Sequence, residues 1–294
     1  MSLYYEMEKY MGNIIKSILF GIVEGITEWL PISSTGHMIL LEEFVKMDVS
    51  ESFWNLFLVV IQLGAIMAVV ILYFDKIWPF ALSKKEREGN GTGLKAFIKM
   101  DVMTLWFKIL VACVPAAIVG VLFDDALDAL FYNSVCVSLA LIVFGIAFII
   151  IENKNQKSKA GSKINTLAEI TYQTAAMIGV FQLIAAIFPG TSRSGATIVG
   201  ALLIGVSRTV AAEFTFFLAI PVMFGASLLK ILKFGLAFTM SELIILLVGM
   251  AVAFIVSVIV IRFLMGYIKK HDFKVFGWYR IVLGIVVLAY FMFV

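Results

Sequence analysis

Long runs almost free of polar residues alternate along this chain with short polar punctuation. The runs near 53–74, 104–122, 134–152, 213–232, 242–264 and 277–294 are each long enough to cross a bilayer as an α-helix. Two further apolar stretches, 12–41 and 172–206, are interrupted by Pro-containing, hydroxyl-rich sequence, Pro31 to Thr35 and Pro189 to Ser194. Backbone exposed to lipid at such a break would lose its hydrogen-bond partners, so each break must be buried or line a cavity. The pattern predicts an all-α polytopic membrane protein with six transmembrane helices plus two re-entrant helical hairpins (12–41 and 172–206). In each hairpin two half-helices meet at mid-membrane.

The interrupted stretches also match one another. Gly21 aligns with Gly179, Glu24 with Gln182, Leu30 with Phe188, Pro31 with Pro189 and Ser34 with Ser192, at a constant offset of 158 residues (179 − 21 = 158). Three apolar spans follow each. Interrupted segments at corresponding places mark a repeat whose site lies between the halves. Residues 1–294 then form a single membrane domain, with repeat 1 over about 12–152 and repeat 2 over about 172–294.

Loop charge predicts that the repeat is inverted. Lys76, Lys84, Lys85, Arg87, Lys95 and Lys99 fall in the loop 75–101, Lys154, Lys157, Lys159 and Lys163 in the loop 153–166, and Lys269, Lys270 and Lys274 after residue 264. Loops rich in Lys and Arg face the cytoplasm. The loops 42–51 and 123–133 carry Glu42, Glu43, Asp48, Asp124, Asp125 and Asp128 with Lys46 as their one base, and so face outward. The first hairpin then opens outward and the second toward the cytoplasm. The short loop 233–241 is placed outside by parity of the spans.

Composition narrows the class further. Hydrophobic residues make up 62% of the chain and charged ones 15%, against about 25% in soluble domains. A net charge of +3 without a basic, aromatic-interleaved stripe gives no nucleic-acid partner. Cys113 and Cys136 read as packed thiols rather than a disulfide. The first ten residues do not resemble a cleaved signal, so the first apolar segment is expected to stay in the mature protein.

Within this apolar frame the breaks concentrate the chemistry. Ionisable groups at membrane depth are costly and tend to line interiors or wet cavities. Glu24 and Glu28, four apart, share one helical face and repel unless a cation or a shared proton relieves them. A hard divalent ion, Mg²⁺ or Ca²⁺, suits such a pair and recruits substrate phosphates; an interfacial helix with both acids in water is the rival arrangement. Gly21 and Gly25 read as small residues for close helix packing. Ser33, Ser34 and Thr35 either cap the second half-helix or act in chemistry, and His37 could serve as base, proton donor or nucleophile. The turn Pro189-Gly190-Thr191-Ser192-Arg193-Ser194 leads into a helix, where N–H groups and the dipole attract anions. Arg193 adds a fork matched to phosphate oxygens, with Ser192, Ser194 and Thr197 as further donors. A structural Arg–carboxylate pair, with Glu24 or Glu28 as partner, is the competing role for Arg193.

The run from Glu24-Gly25-Ile26-Thr27-Glu28 through Pro31-Ile32-Ser33-Ser34-Thr35-Gly36-His37, and the run Pro189-Gly190-Thr191-Ser192-Arg193-Ser194-Gly195-Ala196-Thr197, resemble the undecaprenyl-diphosphate phosphatase family, the bacitracin-resistance type of integral-membrane phosphatase. The resemblance implies a metal-dependent hydrolase of a polyprenyl diphosphate lipid that regenerates the lipid carrier for cell-wall synthesis. It also implies a bacterial inner (plasma) membrane location, a site open to the periplasmic side, and homodimers. By position, Glu24 and Glu28 would be the acidic pair, Ser34 and His37 the nucleophile or proton-transfer groups, and Arg193 the diphosphate ligand. Ser33, Thr35, Gly190, Thr191, Ser192, Ser194 and Thr197 would complete the pocket. Broken helices in inverted repeats also describe secondary transporters, so a transporter or flippase for a phosphorylated polyprenyl lipid or organic anion is the alternative.

Overall fold

The computed structural model describes residues 2–83, 86–87, 96–131, 133–157, 161–235 and 237–293. Lys84, Lys85, Lys95 and Lys159 of the basic loops lie outside the described residues, as do the side chains of Asp124, Asp125 and Asp128. The described chain is helical. α1 spans Ser2–Thr27, α2 Ser34–Phe44, α3 Glu51–Leu72, α4 Phe74–Ile77, α5 Met100–Phe131, α6 Ser134–Lys157, α7 Tyr172–Ile187, α8 Arg193–Leu203, α9 Arg208–Phe234, α10 Met240–Ile268 and α11 Lys274–Phe293. Two isolated bridges, Phe80 to Ile98 and Ile164 to Val206, are the only β pairing among the described residues.

Six of these helices (α3, α5, α6, α9, α10 and α11) are long and apolar enough to cross a membrane, as the hydrophobic pattern predicts. The protein is therefore a multi-pass membrane protein. Large apolar side chains such as Ile118, Leu139, Leu247 and Ile259 stand exposed on their outer faces. In water such a surface would aggregate; in lipid it is the expected outer skin. One expectation fails. The segment 123–131 is not a loop, because α5 continues as helix to Phe131. Between Val121 and Phe131 there is no Gly or Pro to stop it, and Ala and Leu, both strong helix formers, occupy five of those positions.

The two ends of each interrupted stretch come together. At one end Lys9 pairs with Asp48 at 2.9 Å, and the Asn13 side chain both donates to the Asp48 carbonyl and accepts from the Asp48 N–H. Residues of the turn into α10 (Thr239, Ser241 and Glu242) line a cavity of about 460 Å³ with Asn13 and Asp48, so the loop 233–241 shares this end. At the opposite end the Lys163 N–H donates to the Gly205 carbonyl and the Ser207 N–H to the Ile164 carbonyl. Glu152 there accepts two bonds from Arg208, at 2.9 and 2.6 Å, and a third from the Phe273 N–H. Arg208 is thus the partner of a buried carboxylate. This is the end that carries the basic loops.

The packing crosses between the halves. α1 lies on α10, α7 on α5, α3 on both α9 and α10, and α6 on α11. The α1–α10 contact depends on small residues, as the Gly21/Gly25 spacing suggests. A Cβ on Gly21 would stand 2.6 Å from the Gly249 carbonyl oxygen, and one on Gly25 2.7 Å from the Val256 Cβ.

Candidate active site

The two breaks meet. Glu28 follows the last helical residue of α1 and is buried, while Arg193 is the first residue of α8. The Arg193 Nη2 lies 2.5 Å from Glu28 Oε1 across a separation of 165 residues. On the other carboxylate oxygen, Oε2, Glu28 accepts the Ser34 hydroxyl at 2.8 Å. The Ser194 hydroxyl donates to the Glu28 main-chain carbonyl at 3.1 Å. One carboxylate therefore joins a guanidinium, a hydroxyl and the second short helix. Their side chains stand only 8% (Glu28) and 16% (Arg193) exposed. A charge pair so desolvated is held by geometry and supplementary hydrogen bonds rather than by water.

Two short helices deliver these groups by the same local device. Ser33 caps α2 and accepts from the Gly36 N–H; Ser192 caps α8 and accepts from the Gly195 N–H. These are the only non-glycine residues with positive φ among the described residues, at 75° and 67°. L-residues rarely tolerate that backbone region, and such strain concentrates at functional sites. The caps correct the sequence alignment. Ser192 stands 159 residues after Ser33, so Ser33, not Ser34, is its counterpart, and the twin of Ser34 is Arg193. The slip comes after the prolines, where Gly190, at φ 89°, adds one residue between Pro189 and the cap. Glycine alone takes that conformation freely, and a Cβ there would come within 2.6 Å of the Val137 carbonyl.

Other expected site residues fall close by with different partners. Glu24, 1% exposed, has Oε1 buried without a hydrogen-bond partner. Its counterpart Gln182 is equally buried and likewise has a partnerless Oε1. Thr197 donates to the Arg193 and Ser194 carbonyls and pairs with the Thr215 hydroxyl at 2.9 Å. The Ser192 and Ser194 hydroxyls lie 3.1 Å apart, and Thr191 is fully buried with no partner for its hydroxyl. Thr35 is half-buried beside Ser34.

His37 has its hydrogen-bond partners elsewhere than Ser34. Its Nδ1 is 2.7 Å from the Ser33 carbonyl oxygen and so carries the proton, and Nε2, 2.7 Å from the Tyr279 hydroxyl, accepts. The two rings are parallel within 5°. Tyr279 was not singled out by sequence, and neither was its neighbour Arg280. The Arg280 side chain is fully buried on α11 and donates to three main-chain carbonyls in the two breaks: Pro31 (3.3 Å), Gly190 (3.1 Å) and Thr191 (2.7 Å). The available signal was a lone arginine inside an apolar span.

No cluster of three or more His, Cys, Asp or Glu side chains occurs among the described residues. A divalent ion would therefore depend on Glu24 and Glu28. The partnerless oxygen of Glu24 suits this, since Mg²⁺ in particular is commonly held by one or two carboxylates with substrate phosphate and water supplying the rest.

The chain is similar to known proteins over nearly its whole length. The family model described as bacitracin resistance protein BacA matches residues 17–286. A Desulfitobacterium hafniense protein named undecaprenyl-diphosphatase is 64% identical over 279 residues, covering 95% of this chain and 96% of its own. Clostridium acetobutylicum undecaprenyl-diphosphatase 1 is 64% identical over 282 residues, covering 96% and 98%. An Enterococcus faecalis undecaprenyl-diphosphatase is 62% identical over 276 residues, covering 94% and 96%. With nearly its whole length matched, this chain belongs to the BacA bacitracin-resistance family.

Proposed function

We infer that this protein hydrolyses undecaprenyl diphosphate to undecaprenyl phosphate and inorganic phosphate, returning the lipid carrier to cell-wall synthesis. Relatives of that name at 62–64% identity support the activity. The observation within the chain that carries it is the Ser34–Glu28–Arg193 array where the two breaks meet. A nucleophile hydrogen-bonded to a base that is itself oriented by a third group is the general signature of an activated hydroxyl.

The two interrupted stretches act as re-entrant hairpins from opposite faces of an inverted repeat, a reading supported by their same-end returns and by packing that exchanges partners between halves. The prenyl tail remains in lipid and the diphosphate reaches the seam between the tips. Arg193 turns part of its fork to the terminal phosphate; its Nη1, buried without a partner, is the donor held in reserve. Glu28 takes the Ser34 proton as Oγ bonds to the terminal phosphorus. The bond from that phosphorus to the bridging oxygen breaks, and the electron pair leaves on undecaprenyl phosphate. Water then attacks the phosphoserine, and Glu28, giving up its proton, restores the Ser34 hydroxyl. Glu24 and Glu28 would hold a Mg²⁺ or Ca²⁺ ion, which when bound would supply positive charge against the phosphate. His37, with both ring nitrogens engaged, orders the Ser33 cap instead of attacking phosphorus. The basic end faces the cytoplasm of a bacterial plasma membrane and the acidic end outward, with the seam reached from outside, and two copies pair as a homodimer.

Phosphate release from a polyprenyl diphosphate by purified protein in detergent tests the activity, since detergent has no two sides. Release there is expected; no release in detergent, together with transport of the phosphorylated lipid by the protein in sealed vesicles, would make the protein a flippase. Trapping labelled phosphoenzyme tests the route. Label that persists in Ser34→Ala would eliminate the serine.

A further inference from the structure

We propose that Arg280 is a positioning residue that clamps the two breaks together and so sets the alignment of Ser34 and Glu28 against Arg193; this rests on the phosphatase function above. Arg280 sits on α11, which belongs to neither break. Its guanidinium is fully buried, and no carboxylate pairs with it among the described residues. A buried cation without a counter-ion is costly, and only multiple hydrogen bonds offset the loss of water. Here the compensating acceptors are all main-chain oxygens of the breaks: Pro31 from the first, Gly190 and Thr191 from the second. Those carbonyls lie outside helices and, once buried, need donors from elsewhere. The planar fork of arginine serves several of them at once, which a lysine ammonium does only in part.

The clamp acts at short range on the chemistry. Pro31 stands three residues from both Glu28 and Ser34, and Thr191 two residues from Arg193. Its anchorage is firm. α11 packs on α6 so closely that a Cβ on Gly277 would meet the Gly145 carbonyl at 2.8 Å, and one on Gly284 the Ser138 carbonyl at 2.8 Å. The guanidinium is also wedged against the first turn of α8, where a Cβ on Gly195 would come 2.9 Å from Arg280 Nη1.

The test combines turnover with amide hydrogen exchange of the full-length protein in detergent. Displacing a reacting group by about 1 Å costs on the order of 100-fold, so Arg280→Met is expected to lower kcat by roughly that factor and Arg280→Lys by about tenfold. KM should stay within about threefold, because the phosphate ligand Arg193 is retained. Deuterium uptake in Arg280→Lys should rise at 28–36 and 188–196 together while the spans exchange as in the parent. Gly195→Ala, which pushes the guanidinium without removing it, should combine with Arg280→Lys less than multiplicatively. Should Arg280→Met fail to fold, the Lys and Gly195→Ala variants carry the measurement. A kcat for Arg280→Lys within twofold of the parent, or increased exchange at one break alone or at neither, overturns the clamp. If the parent protein releases no phosphate yet Arg280→Lys loosens both breaks, the clamp stands and the phosphatase assignment falls.

Discussion

The two breaks share a frame and differ in charge. Each follows a helix that buries a polar side chain (Glu24 or Gln182), passes a proline and enters an eleven-residue helix through a serine cap in the left-handed region. The first brings Glu24 and Glu28; the second has Gln182 at the place of Glu24 and supplies Arg193. Neither is a complete site. The structure opposes the acidic lip and the basic lip, with Arg193 on Glu28, and the proposed chemistry draws on both.

The sharpest way to break the complementarity is to remove its charge on the basic side. Arg193→Ala leaves Glu28 buried without its cation and should lower kcat/KM by about three orders of magnitude, measured as phosphate release. Arg193→Lys should recover only a minor part, since a point charge does not reproduce the fork. Next in size, Glu24→Gln makes the acidic lip resemble the basic one. Activity is expected to fall roughly 10–100-fold and the divalent-cation titration to shift to higher concentration; an unchanged titration would remove Glu24 from the ion's ligands. Gly190→Ala attacks the second break's backbone instead. Its positive φ and the approach to Val137 should cost about 1–3 kcal/mol, read as a fall of several degrees in the thermal midpoint. The smallest effect is expected from Tyr279→Phe, which removes one hydrogen bond to His37. A loss of about 1 kcal/mol corresponds to a several-fold drop in kcat.

Much of this arrangement was legible in the sequence because its signals are local. Twenty-residue apolar windows announce spans, and Glu24, Glu28, Ser34 and Arg193 stand out as polar groups where lipid would forbid them. The pairing of Arg193 with a glutamate was foreseen as an alternative to phosphate binding; it is present, and the proposed mechanism uses both. What escaped depends on distant or conformational facts. Arg280 bonds carbonyls 249, 90 and 89 residues away, and no side-chain pattern encodes a backbone acceptor. Tyr279 meets His37 across 242 residues. The register of the repeat slipped by one because Gly190 extends a turn without changing the motif around it. Acidic residues near 124–128 suggested a loop, although nothing there halts a helix whose remaining residues favour it.

That extra glycine has a consequence for descent and for engineering alike. Since each residue advances an α-helix by about 100°, excising Gly190 would thread the following segment one step early and swing its leading side chain a quarter-turn or more off its mate. Hydroxyl and guanidinium hold twin seats at the heads of two matched coils, and a single-codon deletion would unseat one of them while leaving every side chain of the array still present.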